Sequence, residues 1–182
     1  MDARALGQSR PWLAVGQEIT DLLGRIDPAA FARLVGAFAD ESRRWFFCGQ
    51  GRSGLVAQMA AMRCMHLGRS VHYVGEVTAP SVRQGDGLLI VSGSGETPTV
   101  VGFARIARGE GAEVVALTSK PHGTLAGLAA VVLAVPVQQT VQFGGSLFEQ
   151  SCLLLLDALV LHLARQLPDA DAHMHQRHTN LL

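Results

Sequence analysis

The sequence predicts a doubly wound α/β domain: one five-stranded parallel sheet with helices on both faces, a three-layer αβα sandwich preceded by N-terminal helices. Two observations and one rule of chain topology carry this. Short apolar runs alternate with segments of helical period along most of the chain. Two of the runs end abruptly in small-residue turns, Gly49-Gln50-Gly51-Arg52-Ser53-Gly54 and Ser92-Gly93-Ser94-Gly95-Glu96-Thr97, each followed by a helical segment. Strands that alternate with helices pair in parallel, through right-handed crossovers that cover both faces.

The elements follow in order. Trp12, Val15, Ile19, Leu22 and Leu23 share helical spacing, which predicts a helix over residues 11–25. Asp27-Pro28 is an N-cap residue with proline at the first helical position, and Phe31, Leu34, Val35 and Phe38 lie on one face of the helix it opens. The period then changes. Residues 45–48 read as a strand, and Ser53 is placed to cap a helix that reaches His66 and ends at Gly68. Strands are expected at 71–74, 88–91, 113–117 and 131–135, with a helix over 97–108 closed by Gly109 and Gly111. A long apolar helix over 146–164 completes the set. The chain divides into a helical segment (10–42), an α/β core (44–166) and a polar tail (167–182), read as a single domain.

Composition narrows the class. The 182 residues are 48% hydrophobic and 16% charged with zero formal net charge, which fits a globular chain and gives no basic stripe for nucleic acid. So little charge also hints at surface hidden in an oligomer. Cys48, Cys64 and Cys152 sit in apolar segments, without the spacing of a disulfide framework or a zinc knuckle, so reduced core thiols of a cytoplasmic protein are expected. Residues 1–11 lack the apolar core of a signal peptide. The apolar stretch 152–164 is broken by Asp157 and His162 and is shorter than the roughly twenty residues a bilayer needs, so no membrane partner is expected.

In such sheets ligands lie beyond the carboxyl ends of the strands, where both glycine-rich turns fall. Hydroxyls and free N–H groups at a helix start suit a phosphate, so Ser92, Ser94 and Thr97, with the backbone of Gly93, Gly95 and Glu96, form the candidate phosphate cradle. The first turn also fits G-x-G-x-x-G, and Glu76 stands about where a ribose-binding acid would. Against dinucleotide binding, Arg52-Ser53 crowds that turn, the chain leaves little room for a substrate domain, and the second cradle would have no task.

On these residues the chain resembles the SIS (sugar isomerase) domain, a flavodoxin-like fold, from about Arg44 to Ala164. More narrowly it resembles the 6-phospho-3-hexuloisomerase family. Gly75-Glu76-Val77-Thr78-Ala79-Pro80 matches as well, and the narrower match rests on Met62-Arg63-Cys64-Met65-His66-Leu67-Gly68, Phe148-Glu149 and the tail Arg177-His178-Thr179-Asn180-Leu181-Leu182. Two departures are visible: Gly144-Gly145-Ser146 stands where the family often has Met-Gly-Thr, and Leu182 where some members carry an acid.

The resemblance implies proton transfer through an enediol between D-arabino-3-hexulose 6-phosphate and fructose 6-phosphate, with no metal and no redox cofactor. It implies Glu149 as the base for a carbon-bound proton and His178 as the group that moves protons between oxygens. Gly51, Arg52, Ser53 and Ser146 would meet the sugar, and His66, Glu76 and Arg177 would support the site. Other readings of these residues stand beside this. Glu149 also fits a capping box with Ser146, His178 a frayed terminal histidine, and His66 a core histidine sharing a helix face with Arg63. Arg52 has both Glu149 and Glu76 as candidate partners. His173, His175 and His178 lack the acidic or thiol support of a metal site. The expected partners are a phosphorylated hexulose and further copies of the chain, as a homodimer or homotetramer. A non-catalytic SIS module that binds a sugar phosphate, or a related aldose–ketose isomerase, shares both cradles.

Overall fold

The computed structural model describes residues 10–181, so the signal-peptide reading of the first nine residues and the terminal Leu182 lie outside the described residues. Helices α1 (Pro11–Leu23) and α2 (Pro28–Ala37) lead into β1 (Trp45–Gly49), α3 (Arg52–His66), β2 (Val71–Tyr73) and β3 (Gly87–Val91). Then come α4 (Pro98–Gly109), β4 (Glu113–Thr118), α5 (Thr124–Leu128), β5 (Val131–Ala134), α6 (Ser146–Ala164) and α7 (Ala170–Arg177). The strands order as β2-β1-β3-β4-β5, each pair parallel.

The pleat sorts the core into two layers, because successive side chains point to opposite faces. Phe47, Leu89, Val91, Val115, Leu117 and Leu133 meet α1, α2, α3 and α6 through Leu22, Leu34, Ala57, Ala60 and Leu156. Phe46, Cys48, Leu88, Ile90, Val114 and Ala116 meet α4 and α5 through Val100, Ala104 and Leu125. The β2–β3 connection carries no helix; Val74, Ala79 and Val82 cross this second face instead. They roof an apolar cavity of about 150 Å³ that includes Phe46, Leu88 and Phe103.

At the amino end of the sheet, buried Trp45 stacks on Phe38 with centroids 3.9 Å apart and planes 5° from parallel. Gly87, paired with Trp45 across the ladder, leaves room for the indole: a Cβ there would come within 2.5 Å of the ring. Arg44 closes the same end, donating to both carboxylate oxygens of Asp86 at 3.2 and 2.6 Å.

Several local expectations change. The helix predicted to Arg25 stops at Leu23, and the strands predicted to Val74 and Val135 end at Tyr73 and Ala134. Asp27 does cap α2, accepting from the Ala29 N–H at 2.9 Å. Ser53 does not cap α3; Gly51 precedes the helix at φ +56°, a region open to glycine. The polar tail contains α7, a helix not expected from the sequence, which buries no residue and so leaves no apolar period to read. Helix α6, at 19 residues and mean hydropathy 1.6, is long and apolar enough to cross a membrane by composition, but half of that window is buried against the sheet and α3.

Trp45→Ala should lower the unfolding free energy by about 3–5 kcal/mol, read from urea titration. A loss below about 1 kcal/mol would mean that the aromatic stack is not a main support of this face.

Candidate active site at the switch point of the sheet

The chain leaves β1 for α3 on one face and β3 for α4 on the other. Between these adjacent strands the two connections diverge and open a crevice, the usual ligand position in an open parallel sheet. The first wall is the turn after β1. A Cβ at Gly49 would lie 2.6 Å from the Ser53 carbonyl oxygen, so only glycine lets the strand end so close to the helix start. The Tyr73 hydroxyl donates to the Gly49 carbonyl at 3.0 Å and fixes the turn against β2. Arg52 thereby becomes the first residue of α3.

The second wall is the loop after β3. The Ser92 N–H donates to the Leu117 carbonyl at 3.0 Å, carrying the ladder one residue past the strand. Gly93 O accepts from the Ser119 N–H at 3.2 Å and the Ser119 hydroxyl at 2.6 Å. Gly95 turns at φ +65°, and its carbonyl accepts from the Leu125 N–H at 3.1 Å. The Ser94 and Thr97 hydroxyls then lie 3.5 Å apart, with Thr97 as the residue preceding α4. Paired hydroxyls at the start of a twelve-residue helix suit an oxyanion.

Glu96 is a correction within this loop. Its carboxylate accepts from the Thr124 N–H at 2.7 Å and its own N–H donates to Ser94 Oγ at 3.2 Å, so both groups serve the loop and α5. The bonds from Thr124, side chain first and then backbone, hold its carboxyl below the usual range. Residues at the end of β4 were not singled out from sequence. Thr118 and Ser119 brace Gly93, and Lys120, the single lysine of the chain, lines a cleft with Ser94, Glu96 and His122. The polar Thr-Ser-Lys that ends this strand is the same signal that marked the other two turns.

Helix α6 supplies the third wall. A Cβ at Gly93 would sit 3.2 Å from the Phe148 ring, so the start of α6 abuts the hydroxyl loop. Next to Phe148, the Glu149 carboxylate forms an ion pair with Arg52 across the crevice. The Glu149 side chain is 13% exposed and that of Arg52 62%. The capping box is absent: Gly145 precedes α6, and the Ser146 hydroxyl donates to the Phe143 carbonyl at 2.8 Å. Of the two acids offered to Arg52, the fold selects Glu149. Glu76 pairs with His72 Nδ1 at 2.9 Å on the outer strand β2. The crevice thus combines a shielded carboxylate, an exposed guanidinium and a hydroxyl loop suited to an oxyanion, a set that can move a proton next to a carbonyl.

His178 is not brought to this crevice within one chain. Its ring stacks on that of buried His66, with centroids 5.3 Å apart, at the last residue of α3. Arg52 is the first residue of the same helix, which places the two groups roughly 20 Å apart along its axis. Arg177 lies over Gly68, 3.1 Å from where a Cβ would stand, and donates to the His173 carbonyl at 3.1 Å. The tail is therefore docked on the C-terminal end of α3 rather than frayed. Among the described residues, no cluster of three or more His, Cys, Asp or Glu side chains is arranged to hold a metal ion.

Comparison with known proteins places the same residues in one context. The SIS domain model matches residues 38–161. The chain is 39% identical over 175 residues to the 3-hexulose-6-phosphate isomerase of Mycobacterium gastri, covering 92% of this chain and 87% of that one. A crystal structure of a hypothetical protein from Methanococcus jannaschii, which infers a molecular function of 3-hexulose-6-phosphate isomerase, superposes with a TM-score of 0.83 at 27% identity, over 96% of this chain and all (100%) of that one. The Vibrio vulnificus NanR protein complexed with ManNAc-6P superposes at a TM-score of 0.77 and 25% identity, over 96% of this chain and 70% of that one.

Burial, then the nearby His178 and Arg63, push the His66 imidazole below its ordinary value of 6.5. A lowered histidine binds fewer protons folded than unfolded, so its contribution is complete above 6.5 and is lost as pH falls below it. The urea midpoint should therefore drop between about pH 7.5 and about pH 5.5, and His66→Gln should flatten part of that drop. An identical pH profile in the variant would contradict the environment described for His66.

Proposed function

The chain belongs to the SIS domain family, and on that footing we propose that it interconverts D-arabino-3-hexulose 6-phosphate and fructose 6-phosphate. The observation that carries the reading is the Arg52–Glu149 pair set beside the hydroxyl loop. In this reading Ser92, Ser94, Thr97 and the start of α4 hold the phosphate, and Arg52 turns to the oxygens on C2 and C3. That move frees the shielded Glu149 carboxylate from its ion pair. The carboxylate takes the C3 proton of open-chain fructose 6-phosphate while the C2 carbonyl oxygen gains a proton from His178. The 2,3-enediol so formed returns the O3 proton to His178 and takes the proton held by Glu149 at C2, which leaves the ketone at C3. The step moves protons only and requires no metal or redox cofactor.

His178 serves this reaction from a second copy of the chain, in a homodimer or homotetramer. Exposed Leu55, Met59 and Met62 line α3 between its two ends, and α6 exposes Leu154 and Leu161. Burying that stripe against its own copy, with the helices antiparallel, carries each His66–His178 end towards the partner's Arg52–Glu149 end. The buried free thiols Cys48, Cys64 and Cys152 fit a cytoplasmic setting.

A second reading is a regulatory module that binds a phosphosugar without turnover; the likeness to the NanR protein complexed with ManNAc-6P supports the phosphosugar binding that both readings share. An aldose–ketose isomerase would share the same cradles. Glu149→Gln and His178→Asn should each lower interconversion, followed by phosphorus NMR, by about a hundredfold or more while fructose 6-phosphate still binds. Mixing the two inactive variants under subunit exchange should restore part of the activity. Full activity in Glu149→Gln would remove it as the base, and no recovery on mixing would place both groups in one chain.

A further inference from the structure

The loop between β5 and α6 leads straight into Glu149, yet it has little stiffness of its own. It forms no regular structure, and it ends in Gly144 at φ +61° and Gly145. Its crest does not anchor it by burial either, since Val141 is 81% and Phe143 96% exposed. What holds it is one carboxylate from the far end of the sequence. Glu18 of α1 accepts at Oε1 from the Val141 N–H at 2.8 Å. At Oε2 it accepts from the Thr140 hydroxyl at 2.9 Å and from Gln142 Nε2 at 3.0 Å. Thr140 Oγ1 in turn accepts from the Gln142 N–H at 3.0 Å, so three consecutive residues are tied to one side chain.

The path from this latch to the crevice is short. The Phe143 carbonyl accepts from the Ser146 hydroxyl, and the Gly145 carbonyl from the Glu149 N–H at 3.0 Å. Gly145 also borders the carboxylate itself: a Cβ there would lie 3.2 Å from Glu149 Oε1. A shift of the loop at Gly144–Gly145 therefore moves the floor on which the Glu149 carboxylate rests. Neighbouring residues of α1 and of the turn after it offer no substitute. Asp21 accepts from Gln17 of its own helix, and Arg25 reaches only Gln138 at 3.4 Å.

We propose that Glu18 is a positioning residue: it latches residues 140–142 to α1 and thereby holds the Glu149 carboxylate in register with Arg52. Its catalytic consequence rests on the isomerase reading above; its structural consequence does not. The test compares Glu18→Ala, Glu18→Gln and the control Asp21→Ala by amide hydrogen exchange and by kcat and KM for fructose 6-phosphate. In Glu18→Ala the Val141 and Glu149 amides should both exchange at least about tenfold faster, reporting local opening. The kcat should fall about tenfold or more, with KM changed by less than about threefold, as expected when a reacting group is misplaced. Glu18→Gln, which keeps an acceptor for Val141 but turns an NH₂ towards Thr140 and Gln142, should lie between, and would carry the test if Glu18→Ala fails to fold. Asp21→Ala should match wild type. An unchanged Glu149 amide in Glu18→Ala, or an unchanged kcat beside a loosened loop, would overturn the proposal. A wild-type protein without isomerase activity would sink the isomerase reading alone, and the Glu149 amide would then decide the latch.

Discussion

The Arg52–Glu149 ion pair is the contact around which the crevice is organised, because its partners come from separate elements that glycine brings within reach. Gly49 lets β1 end against the start of α3 and so places Arg52. Gly93 lets Phe148 close on the hydroxyl loop, and Gly145 leaves the space beside the Glu149 carboxylate. The pair adds little net stability, since Arg52 is largely solvated and such pairs contribute at most about 1 kcal/mol. Its value lies in the asymmetry. The guanidinium reaches into solvent, whereas the carboxylate is shielded beside the start of its own helix.

The sheet explains why these groups meet at all. Reversal of strand order between β1 and β3 sends α3 and α4 to opposite faces and leaves their starts side by side. The hydroxyl loop and Arg52 therefore stand on adjacent strand ends. The same geometry separates the two ends of α3. The docked tail, with Arg177 over Gly68 and His178 on His66, completes the far end instead of the crevice. Met62–Gly68 and Arg177–Leu181, distant in sequence, form one structural unit, and the exposed stripe on α3 joins that unit to the crevice.

Much of this was legible because it is local. Apolar runs that stop in glycine and serine mark strand ends, and Asp27-Pro28 marks a helix start, since each is set by residues adjacent in sequence. What sequence did not reveal depends on distant partners. Glu96 looks like part of a phosphate loop until Thr124 takes its carboxylate. Ser146 and Glu149 spell a capping box, but Phe143 takes the hydroxyl and Arg52 the carboxylate. Helix α7 escapes the periodicity test because it buries nothing, and Glu18 carries no motif at all although three loop residues depend on it.

The central claim is that this crevice moves a proton between C2 and C3 of a phosphorylated ketose. Incubating the protein with fructose 6-phosphate in deuterated water and locating the label by NMR tests it most directly. Deuterium entering at C3, and lost from that position in Glu149→Gln, is the result the account predicts. Deuterium at C1 would show an aldose–ketose path, and no exchange at any carbon together with no ketose interconversion by phosphorus NMR would leave a binding protein; either would contradict it.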